Sequence, residues 1–519
     1  MRKLCSFIFS RYFISAVLIL AELVIIGFVM YFAYEYSLFI FAFLVAVNIA
    51  SVISIINRDA NPEYKVSWLV VVLVVPFFGM ALYAMFYSRR VSRSEAELMD
   101  KIQNELSDFC DTGCDEDGNC DRIFSELKET DELAAGKAFA ILNDDRLSSV
   151  YRGSLSKYYP DGESMFSDML SDISRAERFI FLEYFIIENG YMWEKIHHLL
   201  IEKAKAGVEV RVLYDDIGCM KTIPLHYDKR LRAEGIKCLR FSPVSPRITT
   251  AHNNRDHRKI LITDGRAVYT GGINIADEYI NKRMRFGHWK DGGIRIEGEA
   301  VIGFMKLFLS MWDTTVGKIT EYEKYLSSVK KSEEGDCGFY LPFGSGPAPV
   351  YKRPVGKNAI LNIINQAKNY VYITTPYLII DYDLTESLRN AAMRGVDVRI
   401  ITPKIADKKI VKVMTKSAYP NLMSSGIRIC EYTPGFIHEK CIVSDDLYAI
   451  VGTINLDFRS LVHHYEDAVW IYGSGTVIQI KEEFLKTAAI SLEIDDDDAK
   501  LTFREWCVRN LVRIFAPLL

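Results

Sequence analysis

NNRDHRKILITDGRAVYTGGIN (253–274) returns later in the chain as FIHEKCIVSDDLYAIVGTIN (436–455). Both stretches carry the spacing H-x-K-x4-D, as His257, Lys259 and Asp264 and again as His438, Lys440 and Asp445. Both continue into a glycine and an asparagine, Gly272 with Asn274 and Gly452 with Asn455. One such match would be weak; two, at the same place in two repeats, are not a chance event. Upstream the likeness goes on. RFIFLEYFII (178–187) is a strand-like apolar run, MWEKIHHLLIEKAKAG (192–207) has helical periodicity with a glycine stop, and VEVRVLYDD (208–216) alternates as a strand. NYVYITTPYLI (369–379), DLTESLRNAAMRG (383–395) and VDVRIITPK (396–404) follow in the same order. Strand, helix and strand make a right-handed crossover unit. The expected fold is therefore α/β, with two repeated halves, each a mainly parallel sheet with covering helices.

The repeated motif also implies a chemistry. Residues two apart on a strand point to the same side, so His257 and Lys259 share a face, as do His438 and Lys440. Two imidazoles and two ammonium groups brought into one site suit a phosphodiester, because the ammoniums neutralise the phosphoryl oxygens. One imidazole can attack phosphorus while the other, protonated, releases the alcohol and then serves as base for the next acceptor. Asp264 and Asp445 differ from the lysines in strand parity, which gives them orienting and structural roles within the catalytic motifs and no phosphate contact. A histidine without such company is usually structural. That reading applies to His197 and His198 on the expected helix, and to His463 and His464 just after the second motif.

These residues resemble the phospholipase D superfamily, whose members pair two such motifs in one active site. The resemblance implies catalysis without a metal or any other cofactor, His257 as nucleophile with His438 as acid and base, and Asn274 and Asn455 as substrate-binding donors to the phosphoryl oxygens. Within the superfamily, NPEYKVSWLVVVLVVPFFGMALYAMFY (61–87) looks like the N-terminal membrane segment of the bacterial cardiolipin synthase family. HWKDGGIRIEGEAVIGFMKLFLSMW (288–312) resembles the stretch after that family's first motif, and TTPYLI (374–379) also fits, so the resemblance covers nearly the whole chain. It implies a phosphatidyltransferase of the bacterial cell membrane. Its partners would be phosphatidylglycerol and other membrane lipids, one phosphatidylglycerol giving its phosphatidyl group to a second, with cardiolipin formed and glycerol released. The nearest alternative is a phospholipase D that hydrolyses phospholipids to phosphatidic acid, since water in place of the second alcohol needs no new residue. A membrane-bound nuclease would be expected to carry a basic surplus, whereas 63 basic residues stand against 67 acidic ones, a net charge of −4. No nucleic-acid partner is expected. A lipid-binding scaffold without activity should have lost a motif histidine or lysine, and none is missing.

Residues 1–90 read as a multi-pass transmembrane anchor of two or three spans. The apolar runs Tyr12–Tyr34, Ser37–Ile56 and Ser67–Tyr87 each approach the roughly 20 residues that cross about 30 Å of hydrocarbon. Glu22, inside the first, is expected to face another helix. Three crossings would put Arg2, Lys3 and Arg11 on the opposite side from Arg89, Arg90 and Arg93, which the preference for basic residues on the cytoplasmic side cannot satisfy at both ends. Residues 91–145 read as a charged connector, 146–320 as the first half, 321–350 with FGSGPAP as a Gly/Pro-rich linker, and 351–490 as the second half. Residues 491–519 read as an acidic hinge, Asp495 to Asp498, and an amphipathic helix that interleaves Arg504, Arg509 and Arg513 with Trp506, Leu511, Ile514 and Phe515. Such a helix suits an anionic membrane interface and packing on its own domain equally well. Of the ten cysteines, Cys219, Cys238, Cys430 and Cys441 fall in apolar runs as buried thiols. Cys110, Cys114 and Cys120 lie in an acidic loop without the histidine that would complete a zinc set.

Overall fold

The computed structural model describes residues 37–58, 61–86, 93–107, 122–243, 254–329 and 335–515, with a few helical positions between 20 and 31. The chain divides into a small unit holding the N-terminal helices and a large unit of residues 90–246 and 251–509.

In the small unit Ser37–Ile56 forms the expected helix. Among the described residues it supplies the one helix long and apolar enough to cross a membrane, Leu38–Ile56, with a mean hydropathy of 2.6 and 6% of its residues buried. The third apolar run departs from expectation. It forms two helices, Pro62–Val74 of 13 residues and Pro76–Phe86 of 11, parted at Val75 (φ −128°, ψ 75°). Pro76 has no N–H to continue the first helix, and its ring drives the residue before it out of the helical region. The two helices fold back on each other: the rings of Trp68 and Tyr83 meet edge to face with centroids 5.3 Å apart. In one continuous helix those residues would stand about 22 Å apart along the axis. Most of the first run, including Glu22, lies outside the described residues, as do Arg2, Lys3, Arg11, Arg89, Arg90, Cys110, Cys114 and Cys120.

The large unit holds two large sheets and two two-stranded ones. The first half contributes β1 (Tyr151–Arg152), β2 (Leu155–Tyr159), β3 (Phe179–Tyr184), β4 (Glu209–Asp215), β5 (Lys237–Phe241), β6 (Lys259–Thr263), β7 (Ala267–Gly271), β8 (His288–Lys290) and β9 (Gly293–Glu297). The second contributes β10 (Phe339–Ser345), β11 (Tyr370–Thr374), β12 (Leu378–Ile379), β13 (Asp397–Pro403), β14 (Arg428–Tyr432), β15 (Gly435–Ile437), β16 (Cys441–Ser444), β17 (Tyr448–Gly452), β18 (Leu456–Asp457), β19 (Glu466–Tyr472) and β20 (Ser491–Glu493). One large sheet has the order β2-β9-β7-β6-β3-β4-β5, the other β10-β19-β17-β16-β11-β13-β14 with β1 and β20 at its edges; the two-stranded ones are β12-β18 and β15-β8. The two orders match strand for strand, and the crossover helices Tyr191–Lys205 and Tyr382–Met393 occupy equivalent places.

The two large sheets are mixed and not mainly parallel. Only β3-β4-β5 and β11-β13-β14 run parallel, while the motif strands β6 and β16 run antiparallel to β3 and β11 and turn straight back into β7 and β17. Helical crossovers enforce parallel pairing only between the strands they join; a tight turn enforces the opposite.

Two segment boundaries also move. The supposed connector carries the helices Arg93–Ser107, Arg122–Thr130 and Glu132–Asp144, whose Met99, Ile102, Leu106, Leu127, Ala134, Ala138 and Ile141 are buried in the main core. Their apolar residues recur at helical spacing among charged ones, so the stretch reads as solvated while one face of it packs. The supposed linker contains β10, buried along its whole length between β1 and β19. The core itself runs through both sheets around the helix Val301–Val316, where Phe308 stacks on Phe181 with centroids 4.6 Å apart.

Asp264 and Asp445 explain their place in the motif by what they hold. Each sits in the left-handed region (φ 55° and 56°) at the tight turn after its motif strand. The Asp264 carboxylate accepts from the backbone N–H groups of Glu177, Arg178 and Phe179, and that of Asp445 from Lys368, Asn369 and Tyr370. Each therefore pins the start of a central strand, β3 or β11. Asp445→Ala is expected to cost about 2–3 kcal/mol, the worth of backbone donors held by a charged acceptor. Thermal unfolding of the detergent-solubilised protein reads this as a lowered Tm, and an unchanged Tm would contradict the capping role.

Candidate active site

The motif histidines stand at the mouths of their strands. His257 follows a bridge between Asp256 and Tyr465 and precedes β6, while His438 and Lys440 occupy the gap between β15 and β16. What aligns each lysine with its histidine is a direct contact. Lys259 Nζ donates to the His257 carbonyl at 2.6 Å, and Lys440 Nζ donates to the His438 carbonyl.

Each histidine is then fixed by the opposite half. The His257 N–H donates to the Tyr465 carbonyl at 2.9 Å, and His257 Nδ1 lies 2.8 Å from Glu466 Oε2. The His438 N–H donates to the Lys290 carbonyl at 2.8 Å, and His438 Nδ1 lies 2.8 Å from Asp291 Oδ2. Glu466 and Asp291 are equivalent positions: Ala468 pairs with Gly452 as Gly293 pairs with Gly271, and each carboxylate lies two residues before. A carboxylate that takes Nδ1–H leaves the lone pair on Nε2, as at His257; His438 Nδ1 also lies 2.8 Å from Lys440 Nζ. The frame around these contacts is also shared. β8 pairs with β15, the Lys259 N–H donates to Asp467 Oδ1 at 3.2 Å, and Arg258 reaches the carbonyls of Leu307 (3.0 Å) and Glu466 (3.3 Å).

Burial sets the protonation states. His257, Lys259, His438 and Lys440 are each under a tenth exposed. Burial pushes the His257 imidazole down to about 3, against the pull of Glu466, and takes His438 well below its ordinary value, with the charges of Lys440 and Lys259 adding to the effect. That Lys259 acts on His438 brings the two motifs into one electrostatic site. Burial also lowers Lys259 to about 8 and Lys440 to about 7, and raises Asp291 to about 6 against the Lys440 charge. Glu466, despite the cost of burial, is held below the carboxylate range by the His257 and His464 imidazoles. Burial thus leaves both rings neutral and both ammoniums close to losing a proton.

The remaining expected residues divide. Asn274 is buried, with Oδ1 accepting from the Ile186 N–H at 3.1 Å and Nδ2 donating to Tyr279 Oη at 2.8 Å; the Tyr279 ring lies 5.5 Å from that of His438. Asn455 is buried and its Oδ1 has no hydrogen-bond partner among the described residues. Asp264 and Asp445 are not brought into the cluster; Asp264 lies five residues beyond Lys259, about 16 Å along a strand. His197 is structural, bonded to Glu234 at 2.7 Å and stacked on Trp193.

His464 departs from the structural reading given to it. Its ring lies 5.4 Å from that of His257, and its Nδ1 lies 3.6 Å from Glu466 Oε1. Among the described residues, His257, His464 and Glu466 form the one group of metal-ligating side chains whose atoms fall within 4.8 Å of one another. Asp291, Glu466 and His464 carried a signal in the repeat. W-K-D before β9 and H-Y-E at the head of β19 superpose once the strands are aligned, but one position changes the acid and the other changes the ring.

Three comparisons bear on this site. A family described as cardiolipin synthase, PLD-like domain, matches residues 169–285 and 360–488, and one described as phospholipase D-nuclease N-terminal matches residues 46–86. An uncharacterised protein of Streptococcus mutans is 39% identical, with 91% of this chain and 100% of that protein covered. A cardiolipin synthase of Geobacillus thermodenitrificans is 33% identical, with 96% of this chain and 98% of the relative covered. Among solved structures, phosphatidylserine synthase of Haemophilus influenzae superposes with a TM-score of 0.56 at 15% identity, covering 74% of this chain and 98% of that one, a likeness of fold.

An anion between Lys259 and Lys440 supplies the countercharge that burial withholds, so it must raise the proton affinity of both lysines and of His438. Sulfate, which does not titrate near neutrality, is therefore expected to bind with net proton uptake at about pH 8, where the lysines, at about 8 and about 7, are partly deprotonated. Calorimetry in buffers of different ionisation enthalpy measures this. Binding with no proton exchange, or with release, would contradict the assigned protonation states.

Proposed function

The chain belongs to the cardiolipin synthase family of phospholipase D-like proteins, and from that membership we propose that it moves a phosphatidyl group from one phosphatidylglycerol to another through a phosphohistidine on His257. The observation that carries this reading is the crossed pair of contacts, His257 to Glu466 and His438 to Asp291, by which each half orients the other half's motif histidine. His257 takes the nucleophile's role by the family resemblance, and the carboxylate of Glu466 beside its Nδ1 suits that role by holding Nδ1–H and leaving the lone pair on Nε2.

Lys259 and Lys440 take the phosphoryl oxygens of the donor lipid, and the anion's charge lets His438 bind a proton on Nε2. His257 Nε2 forms a bond to phosphorus as the bond to the glycerol oxygen breaks, and His438 gives its proton to that oxygen. Glycerol leaves. Neutral His438 then takes the proton from a hydroxyl of the second phosphatidylglycerol, whose oxygen bonds to phosphorus as the bond to His257 breaks. Cardiolipin is the product, and no metal or other cofactor enters any step. Asn455 Oδ1, buried and unpaired among the described residues, and Asn274 orient the headgroup. Hydrolysis differs only in the second acceptor, so the product distinguishes the two outcomes.

The helix Leu38–Ile56 anchors the enzyme in the bacterial cell membrane, where donor and acceptor are both concentrated.

Detergent-purified protein given phosphatidylglycerol and a chelator is expected to form cardiolipin and glycerol in equal amounts. His257→Ala and His438→Ala should each lower kcat on the order of 10⁴-fold or more, with KM little changed. Phosphatidic acid without cardiolipin would mean a hydrolase. In Glu466→Gln and Asp291→Asn the rings lose their orienting charge, and a kcat loss on the order of 10²- to 10⁴-fold is expected at nearly constant KM. A loss confined to KM would contradict the positioning role.

A further inference from the structure

The two halves share the frame around their histidines but differ in the ring two residues before each carboxylate. Trp289 and His464 are equivalent, each two residues before its carboxylate, and each packs on the opposite half's histidine. Trp289 lies 5.5 Å from His438 and His464 lies 5.4 Å from His257, between ring centroids. The indole on one side, its Nε1 likewise without a hydrogen-bond partner among the described residues, is a donor only and offers a cation no lone pair. An imidazole on the other side adds a ligand atom. His464 is buried, and its Nδ1 has no hydrogen-bond partner among the described residues, standing 3.6 Å from Glu466 Oε1. A buried polar atom left in this way is costly unless something takes it up.

We infer that His257, His464 and Glu466 form an inhibitory site for a zinc-like transition-metal cation. Their ligand atoms lie within 4.8 Å of one another, and His257 Nδ1 is 2.8 Å from Glu466 Oε2. Tetrahedral zinc at about 2.0–2.1 Å from nitrogen and oxygen spaces its ligands about 3.3 Å apart. The His257–Glu466 pair must open by about half an ångström, and His464 must close by a similar movement. Two imidazoles and a carboxylate are a borderline ligand set that favours zinc, cobalt or copper over magnesium and calcium, which take oxygen ligands. A fourth position is left for water.

Inhibition follows from valence. The cation replaces the proton on His257 Nδ1, and a neutral imidazole ligated through Nδ1 carries its proton on Nε2. Nε2 then has no lone pair for phosphorus. Glu466 is drawn to the cation at the same time and no longer orients the ring. The Trp289 side offers no such site, so the cation acts on one histidine of the two. This inference rests on His257 Nε2 as the nucleophile.

The test uses the full-length protein, with Co²⁺ as spectroscopic probe and Zn²⁺ as inhibitor. Co²⁺ should give the visible absorption of a four-coordinate site, displaced by Zn²⁺, and Zn²⁺ should abolish cardiolipin formation reversibly, with Mg²⁺ without effect. In His464→Asn and His464→Gln the inhibiting Zn²⁺ concentration, judged against each variant's own metal-free rate, should rise at least about tenfold, the loss caused even by an outer-shell partner. No cobalt spectrum in the wild type, or equal zinc sensitivity in both variants, overturns the site. A cobalt spectrum lost in the variants but without inhibition overturns the assignment of His257 as nucleophile and leaves the binding site standing.

Discussion

The crossed carboxylates are the constraint on which the large unit depends. His257 belongs to the first half and is oriented by Glu466 of the second; His438 belongs to the second and is oriented by Asp291 of the first. Neither half can complete a reactive imidazole by itself. The same register also carries the backbone contacts from His257 to Tyr465 and from His438 to Lys290, so the pairing that joins the halves is the pairing that aims the rings. Arg258 extends this to the core. It lies between His257 and Lys259 in sequence and ties the motif to Leu307 and to Glu466.

Burial has two effects here. It lowers the proton affinity of both imidazoles and both ammoniums, which destabilises the free site relative to one that holds an anion. In the proposed mechanism a bound phosphodiester relieves that penalty and lets His438 take up a proton. A water-exposed site with the same residues would have neither the depressed lysines nor the coupled switch. The membrane helix acts at a different level, by concentrating two lipid substrates near a site that must bind them in turn.

Much of this was legible in the residues. The repeated H-x-K-x4-D, the V-[ED]-V-R strands and the crossover helices marked two equivalent α/β halves, because a β-strand with an apolar run and a helix with a glycine stop are local patterns. The parallel bias was overestimated because the hairpins β6–β7 and β16–β17 hold no helix to announce their direction. The helices of residues 93–144 were hidden by their charged faces, and β10 by its glycines and proline, which normally mark turns. The equivalence of Asp291 and Glu466 was present in the repeat, but the contacts of these two and of His464 were out of reach for a different reason. Their meaning lies in contact with the other half, more than a hundred residues away, and no local spacing reports such a contact. Pro76 could have been read: a proline inside an apolar run breaks it.

The most direct measurement uses a phosphatidyl ester of p-nitrophenol, whose leaving group departs without an acid. Given to the His438→Ala protein, it should release one equivalent of nitrophenol in a burst and leave a phosphatidyl adduct on the peptide that contains His257, because the base for the second step is gone. A burst in His257→Ala with none in His438→Ala would reverse the two roles, and steady release with no adduct on either histidine would contradict the covalent mechanism.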